Sequence, residues 1–238
     1  MFRPVVLCYH AVSARWPHPL AVTLERLARH VAGLLRRGYA PATAGGVAQR
    51  PGGRLLHVTF DDALTSVIRA LPVLERLGVP ATVFACPGRT GAPLGVPELA
   101  GEEQHELTTL DWDGLRALCE RDVEIGSHTV SHPHLPELSD AEIERELVES
   151  RRQLEDELGV ACRTLAYPYG EHDERCRRIA RAAGYETAFA IPRFRSGTRQ
   201  LRADPYALPR VGLFGGDGLL KARLRTSLLA RRAAALAA

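Results

Sequence analysis

Seven short runs of β-forming residues, most of them joined by stretches of helical periodicity, constrain this chain more than any other feature of its sequence. The runs are Val5–Tyr9, Leu55–Phe60, 81–86, 123–125, 164–167, Thr187–Ala190 and 208–213. After the first, Leu24, Leu27, Ala28, Val31, Leu34 and Leu35 recur at helical spacing, and Gly38 stands where such a helix stops. A second helix is predicted over 64–77, with Pro72 marking a kink or a late start and Gly78 the end. Others are predicted around Trp112, Leu115 and Leu118, from the Ser139-x-x-Glu142 capping box to Gly159, and near 175–183. The stretch 88–106 lacks an apolar period and reads as a loop. Strands alternating with helices predict an α/β fold with parallel strands, as a barrel or as an open sheet.

At 238 residues the chain has room for one large α/β domain or two small ones. Residues 1–218 read as a single domain, followed by an Arg- and Ala-rich helical tail over 219–238. The tail is either a solvated terminal helix or a contact for a membrane surface or a partner. A net charge of +3, with arginines scattered over helix faces, gives no case for nucleic-acid binding. The five cysteines (Cys8, Cys86, Cys119, Cys162 and Cys176) are odd in number and lack CxxC spacing, which suits buried thiols in a reducing compartment. The apolar stretch 4–9 ends at His10, too soon for a signal-peptide core, and no later run approaches transmembrane length. The expectation is a soluble, cytoplasmic protein without a transmembrane segment. Its oligomeric state is not legible.

Chemistry gathers where the runs end. Thr59-Phe60-Asp61-Asp62 closes the second run, and Gly126-Ser127-His128-Thr129-Val130-Ser131-His132-Pro133 follows the fourth. His128 and His132 are four apart, but Pro133 disfavours a helix at His132, so the pair belongs on a loop leaving a strand. Loops at the carboxyl ends of barrel strands build active sites, and imidazoles suit zinc and related metals. Asp61 and Asp62 point to opposite sides of an extended chain. If Asp62 binds a metal with the two histidines, Asp61 is free to accept a proton from an attacking water. Ala166-Tyr167-Pro168-Tyr169-Gly170 forms a tight turn after another run, where a backbone N–H can stabilise an oxyanion. Each motif also has a plain reading. Asp62 would serve as a helix N-cap, His-Pro is a common turn, and the Tyr169 turn is structural.

These residues resemble the motifs of the polysaccharide deacetylase family, carbohydrate esterase family 4, over roughly residues 3–215. The first motif, T-F-D-D-G, stands here as Thr59-Phe60-Asp61-Asp62-Ala63, and the second is complete from His128 to Pro133. The third keeps Pro168-Tyr169-Gly170 but has Ala166 where the family carries arginine. The resemblance implies a distorted, TIM-like (β/α)7 barrel that uses zinc or another divalent metal to remove N-acetyl groups from an amino sugar or glycan. It implies Asp62, His128 and His132 as metal ligands, Asp61 as general base and the Tyr169 N–H as oxyanion donor. Arg210 is expected to supply the missing guanidinium from the last strand. The family's late histidine, its general acid, is absent, since no histidine follows His172. Some members carry a histidine after the first strand instead, and Tyr9-His10 fits that arrangement. His10 thus either protonates the leaving amine or otherwise holds the substrate, or it is a buried, hydrogen-bonded residue, and His134 is an accessory candidate or a surface turn. Hydrolysis of a non-sugar C–N bond in a cyclic amide or imide stays open, as does a non-catalytic glycan-binding homologue.

Overall fold

The strands close into a nearly complete ring in the computed structural model, which describes residues 3–93, 107–191 and 204–227. β1 is Val5–Tyr9, and two short strands follow it, β2 (Ala11–Val12) and β3 (Ala21–Val22). β4 (Ala40–Pro41) lies beside the start of β5 (Leu55–Phe60). β6 (Ala81–Ala85), β7 (Glu124–Ser127), β8 (Thr164–Ala166) and β9 (Thr187–Ala190) come next, then β10 (Leu208–Pro209) and β11 (Val211–Gly212). In space the order is β10-β9-β8-β7-β6-β5-β1-β11, with every pairing parallel. The two ends of that path are neighbours in sequence, separated only by Arg210. β10 pairs with β9 and β11 with β1, so one segment closes the ring, and counting it once leaves the seven staves of a (β/α)7 barrel.

A period of two sorts the strand residues. Leu56, Val58 and Phe60 of β5 face outward into the large apolar cluster, while His57, Thr59 and Asp61 face the barrel interior. The interior is narrow. A Cβ on Gly126 would lie 2.5 Å from Phe84 and from the Thr164 hydroxyl, so β7 passes the Phe84 ring only as glycine.

The outer layer consists of α1 (Leu24–Arg36), α2 (Ala44–Gln49), α3 (Leu71–Arg76), α4 (Trp112–Cys119), α5 (Asp140–Leu158), α6 (Glu174–Ala182) and α7 (Leu219–Arg225). Side chains of Thr23, Asp111, Ser139 and Asp173 cap the helices that follow them. The predicted helix over 64–77 is divided: 65–70 is a 3₁₀ turn, and α3 starts afresh with Pro72 in its first turn, where its missing N–H costs nothing. The predicted strand over 123–125 runs instead from Glu124 to Ser127, and that over 208–213 breaks at Arg210, where the pairing partner changes. Most of the predicted loop, at 94–106, lies outside the described residues.

The described part of the predicted tail exposes Leu220 and Leu224 and packs its other face against the barrel's outer layer. Ala222 and Thr226 are buried, and Arg37 of α1 donates to the Thr226 hydroxyl at 2.9 Å. Asp217, wholly buried, pairs with Lys221 at 2.8 Å and Arg225 at 3.2 Å. Its carbonyl accepts from His30, whose other ring nitrogen takes the Tyr9 hydroxyl hydrogen. Residues 228–238 lie outside the described set. Among the described residues no helix is long and apolar enough to cross a membrane.

A polar belt crosses the lower interior. His57 Nδ1 donates to the Ala42 carbonyl at 2.9 Å, and Nε2 meets the Thr82 hydroxyl at 2.8 Å. Thr82 and Thr164 both reach the Glu124 carboxyl at 3.0 Å. Burial pushes the His57 pKa down to about 4, so the folded protein keeps this ring neutral. Below pH ~6.5 the unfolded chain binds a proton there that the fold refuses, so stability falls as the pH falls. Between pH 7 and pH 4 the loss from this residue should be on the order of 3 kcal/mol. Urea titrations of the wild type and His57→Gln across that range should show a shallower dependence in the variant. Parallel curves would remove His57 as the cause.

Candidate active site

Three loops at the carboxyl ends of β5, β7 and β8 meet over the barrel mouth. Among the described residues, six non-glycine positions have positive φ, and five of them lie in these loops: Asp62, Ala63, Thr129, His132 and Tyr169. Such conformations cost about 1–2 kcal/mol each and persist where the surroundings impose them, which is typical of functional sites. Ala63, at φ 48°, occupies the position where the related motif has glycine. Asp62, at φ 66°, is not a helix cap: the 3₁₀ turn after it starts from Leu64 without a side-chain cap bond.

This backbone brings Asp62, His128 and His132 together. Asp62 Oδ1 lies 3.9 Å from His128 Nε2 and 3.7 Å from His132 Nε2, and one donor atom from each of the three falls within 4.8 Å of the others. His128 Nδ1 donates to the Ala166 carbonyl at 2.7 Å, which leaves the Nε2 lone pair facing Asp62. Burial, then the neighbouring His128, pushes His132 down to about 4, so its imidazole is neutral at pH 7. Metal–ligand bonds of ~2.1 Å imply donors ~3.4 Å apart in a tetrahedral site. The two Asp62 contacts exceed that spacing by a few tenths of an ångström, the widest separation in the set is bounded by 4.8 Å, and two imidazoles with one carboxylate suit a divalent cation.

Asp61 stands apart. Its carboxylate forms a paired, two-bond contact with Arg210, Nη1 to Oδ1 at 2.5 Å and Nη2 to Oδ2 at 2.8 Å. Both residues are buried, 3% and 2% exposed, so this pair is shielded from solvent. Burial alone would raise the Asp61 pKa and is the largest single influence. The Arg210 charge and hydrogen bonds, with His128 and His10, together outweigh it and hold the carboxyl well below the usual carboxylate range. Arg210 is itself positioned by the Thr59 hydroxyl at 3.2 Å and by the Phe84 ring, 5.4 Å from its guanidinium carbon. Cys8, two residues before His10 on the same face of β1, donates its thiol to Asp61 Oδ2 at 3.4 Å. The motif reading missed Cys8, although the period of two along β1 marks it.

His10 follows β1, and the Tyr9–Phe60 register sets it beside Asp61. It is half-buried. Tyr169 sits at φ 58° in the turn after β8. The two amides that follow donate to the Tyr167 and Pro168 carbonyls, and the Tyr169 N–H enters neither bond. Gly170, at φ 72°, passes so close to the chain that a Cβ would lie 2.6 Å from the Ile191 nitrogen. The Tyr169 ring stacks on His134 at 3.9 Å between centroids and meets His132 edge-on at 4.6 Å. His134 is held by Glu171 at 2.7 Å, so it supports the turn rather than lying free on the surface.

Fold and site together define a parallel (β/α)7 barrel with a candidate metal centre, and a separate buried carboxylate, at the carboxyl ends of its strands. Residues 48–188 match the family model described as polysaccharide deacetylase, and the chain belongs to that family. It is similar to the Bacillus subtilis protein YxkH, named as a polysaccharide deacetylase, at 24% identity over 218 residues, 89% of this chain and 71% of that protein. Among solved structures it resembles IcaB from Ammonifex degensii (21% identity, 95% of this chain and 98% of that one, TM-score 0.74). It also resembles the Streptococcus pyogenes deacetylase PplD in complex with acetate (19% identity, 94% and 97%, TM-score 0.75). These structural likenesses carry the fold.

Proposed function

We propose that this protein hydrolyses the N-acetyl amide of an amino sugar or glycan with the help of a divalent cation, releasing acetate and a free amine. Family membership supports the chemical class. The observation that carries the mechanism is the difference between adjacent carboxylates: Asp62 lies against both imidazoles, while Asp61, 4.0 Å from His128, is hydrogen-bonded to Arg210. Asp62, His128 and His132 would hold the cation, for which zinc is the best match to two imidazoles and one carboxylate. Bound there, the ion supplies Lewis acidity, which acidifies the attacking water and polarises the amide carbonyl.

The chain's own groups do the rest. Asp61, kept ionised by Arg210, accepts the proton of the attacking water as its oxygen bonds to the acyl carbon. The Tyr169 N–H donates to the oxyanion that forms. His10, on the opposite flank of Asp61 from the ligand loop, delivers a proton to the leaving nitrogen as the C–N bond breaks. His10→Ala should lower kcat by about two to four orders of magnitude while leaving metal content unchanged. Steady-state kinetics on the metal-loaded variant check this, and near-normal turnover rejects the acid role.

The substrate class is tested by acetate release from a panel of N-acetylated mono- and oligosaccharides, run beside a set of cyclic amides and imides. Acetate from the sugars supports the proposal. Ring opening without acetate release would move the protein to cyclic amide hydrolysis, and glycan binding without turnover would make it a binding homologue.

A further inference from the structure

The stretch between the two candidate ligand histidines is gripped from both sides by residues outside the candidate ligand set. On one side stands Glu146 of α5. Its Oε2 accepts the backbone N–H groups of Val130 and Ser131 at 2.8 and 2.9 Å, and its Oε1 accepts the Ser131 hydroxyl at 2.7 Å. One turn further along α5, the Ser150 hydroxyl meets Ser127 at 2.7 Å, and Ser127 in turn accepts the Thr129 N–H at 3.1 Å. On the other side the Gly88 N–H donates to the Val130 carbonyl at 3.1 Å, and Arg89 donates to the Ser131 carbonyl at 2.8 Å. The loop needs such a grip, because both Thr129 and His132 have positive φ, at 68° and 63°.

We infer that Glu146 is a positioning residue that sets the separation and aim of the His128 and His132 nitrogens, and with them the affinity of the site for a divalent cation. The inference rests on the reading of Asp62, His128 and His132 as a metal site. A carboxylate collecting two adjacent amides and a hydroxyl defines the loop's path far more tightly than water can, and the loop's two ends are the ligands themselves. Residues that orient ligands in this way typically contribute 10–100-fold in metal affinity.

The test uses the full chain with Zn2+ and Co2+ as probes. Competitive titration should show Glu146→Ala binding Zn2+ about 10–100-fold more weakly than the wild type. The melting temperature of the metal-free Ala variant should stay close to that of the wild type. Its Co2+ visible spectrum should be altered, which a merely structural role would leave unmoved. Glu146→Gln keeps an oxygen for both amides and an NH2 for the Ser131 hydroxyl, so it should recover most of the affinity and the wild-type spectrum. Glu146→Asp, shorter by one methylene, should fall between the two and takes the place of the Ala variant if that one does not fold. Unchanged Zn2+ affinity in Glu146→Ala or Glu146→Asp overturns the inference, as does a loss in Glu146→Gln equal to that in Glu146→Ala. A wild-type protein that takes up no Zn2+ overturns the metal-site reading, and this inference with it.

Discussion

Asp61→Asn should lower turnover by about two to four orders of magnitude, the span associated with losing a positioned general base. The substitution is nearly isosteric, so the loops and the Asp62–His128–His132 cluster keep their shape. What disappears is the proton acceptor and the counter-charge of Arg210. The variant should therefore still bind its cation and still fold, with a lower melting temperature because the buried guanidinium has lost its partner. Acetate release measured on variant protein of verified metal content checks this. Turnover within a few-fold of the wild type would remove Asp61 from the proton-transfer role.

Arg210→Met should be the most destabilising single change in the site, by about 3–5 kcal/mol in denaturant titrations. Methionine fills part of the space against Phe84 but leaves the Asp61 carboxylate buried without its guanidinium. Arg210→Lys keeps the charge and loses the two-bond fork, so it should recover only part of the stability. The double variant Asp61→Asn/Arg210→Met removes both charges and should be less destabilised than the two single losses added together. Strict additivity would mean that the two side chains do not stabilise each other. Arg210 also stands where the ring closes, between the pairings to β9 and β1, so this one residue joins barrel closure to the placement of Asp61.

Much of this was legible in the sequence because strand ends and turns are written locally. The apolar runs named the seven staves, and the Ser139-x-x-Glu142 box and Gly159 marked both ends of α5. Motif spacing singles out Asp62, His128 and His132, which lie together in the structure, and the gap left by Ala166 points to Arg210, which contacts Asp61. Ring closure was not legible, since nothing in 208–213 signals that its two halves pair with different strands. Glu146 was equally hidden among the acidic residues of α5, because its partners are backbone amides 15 and 16 positions away. The Ala166 carbonyl that orients His128 carries no side-chain signature at all. Interactions made through main-chain atoms and across long sequence separations are settled by packing, and residue type does not record them.

The number of Zn2+ ions retained per chain after dialysis should be one in the wild type and one in Asp61→Asn, and none in Asp62→Ala or His132→Ala. A wild-type chain that retains no ion would rule out the metal site, and an Asp61→Asn chain that loses the ion as completely as Asp62→Ala would make Asp61 a ligand rather than a free base.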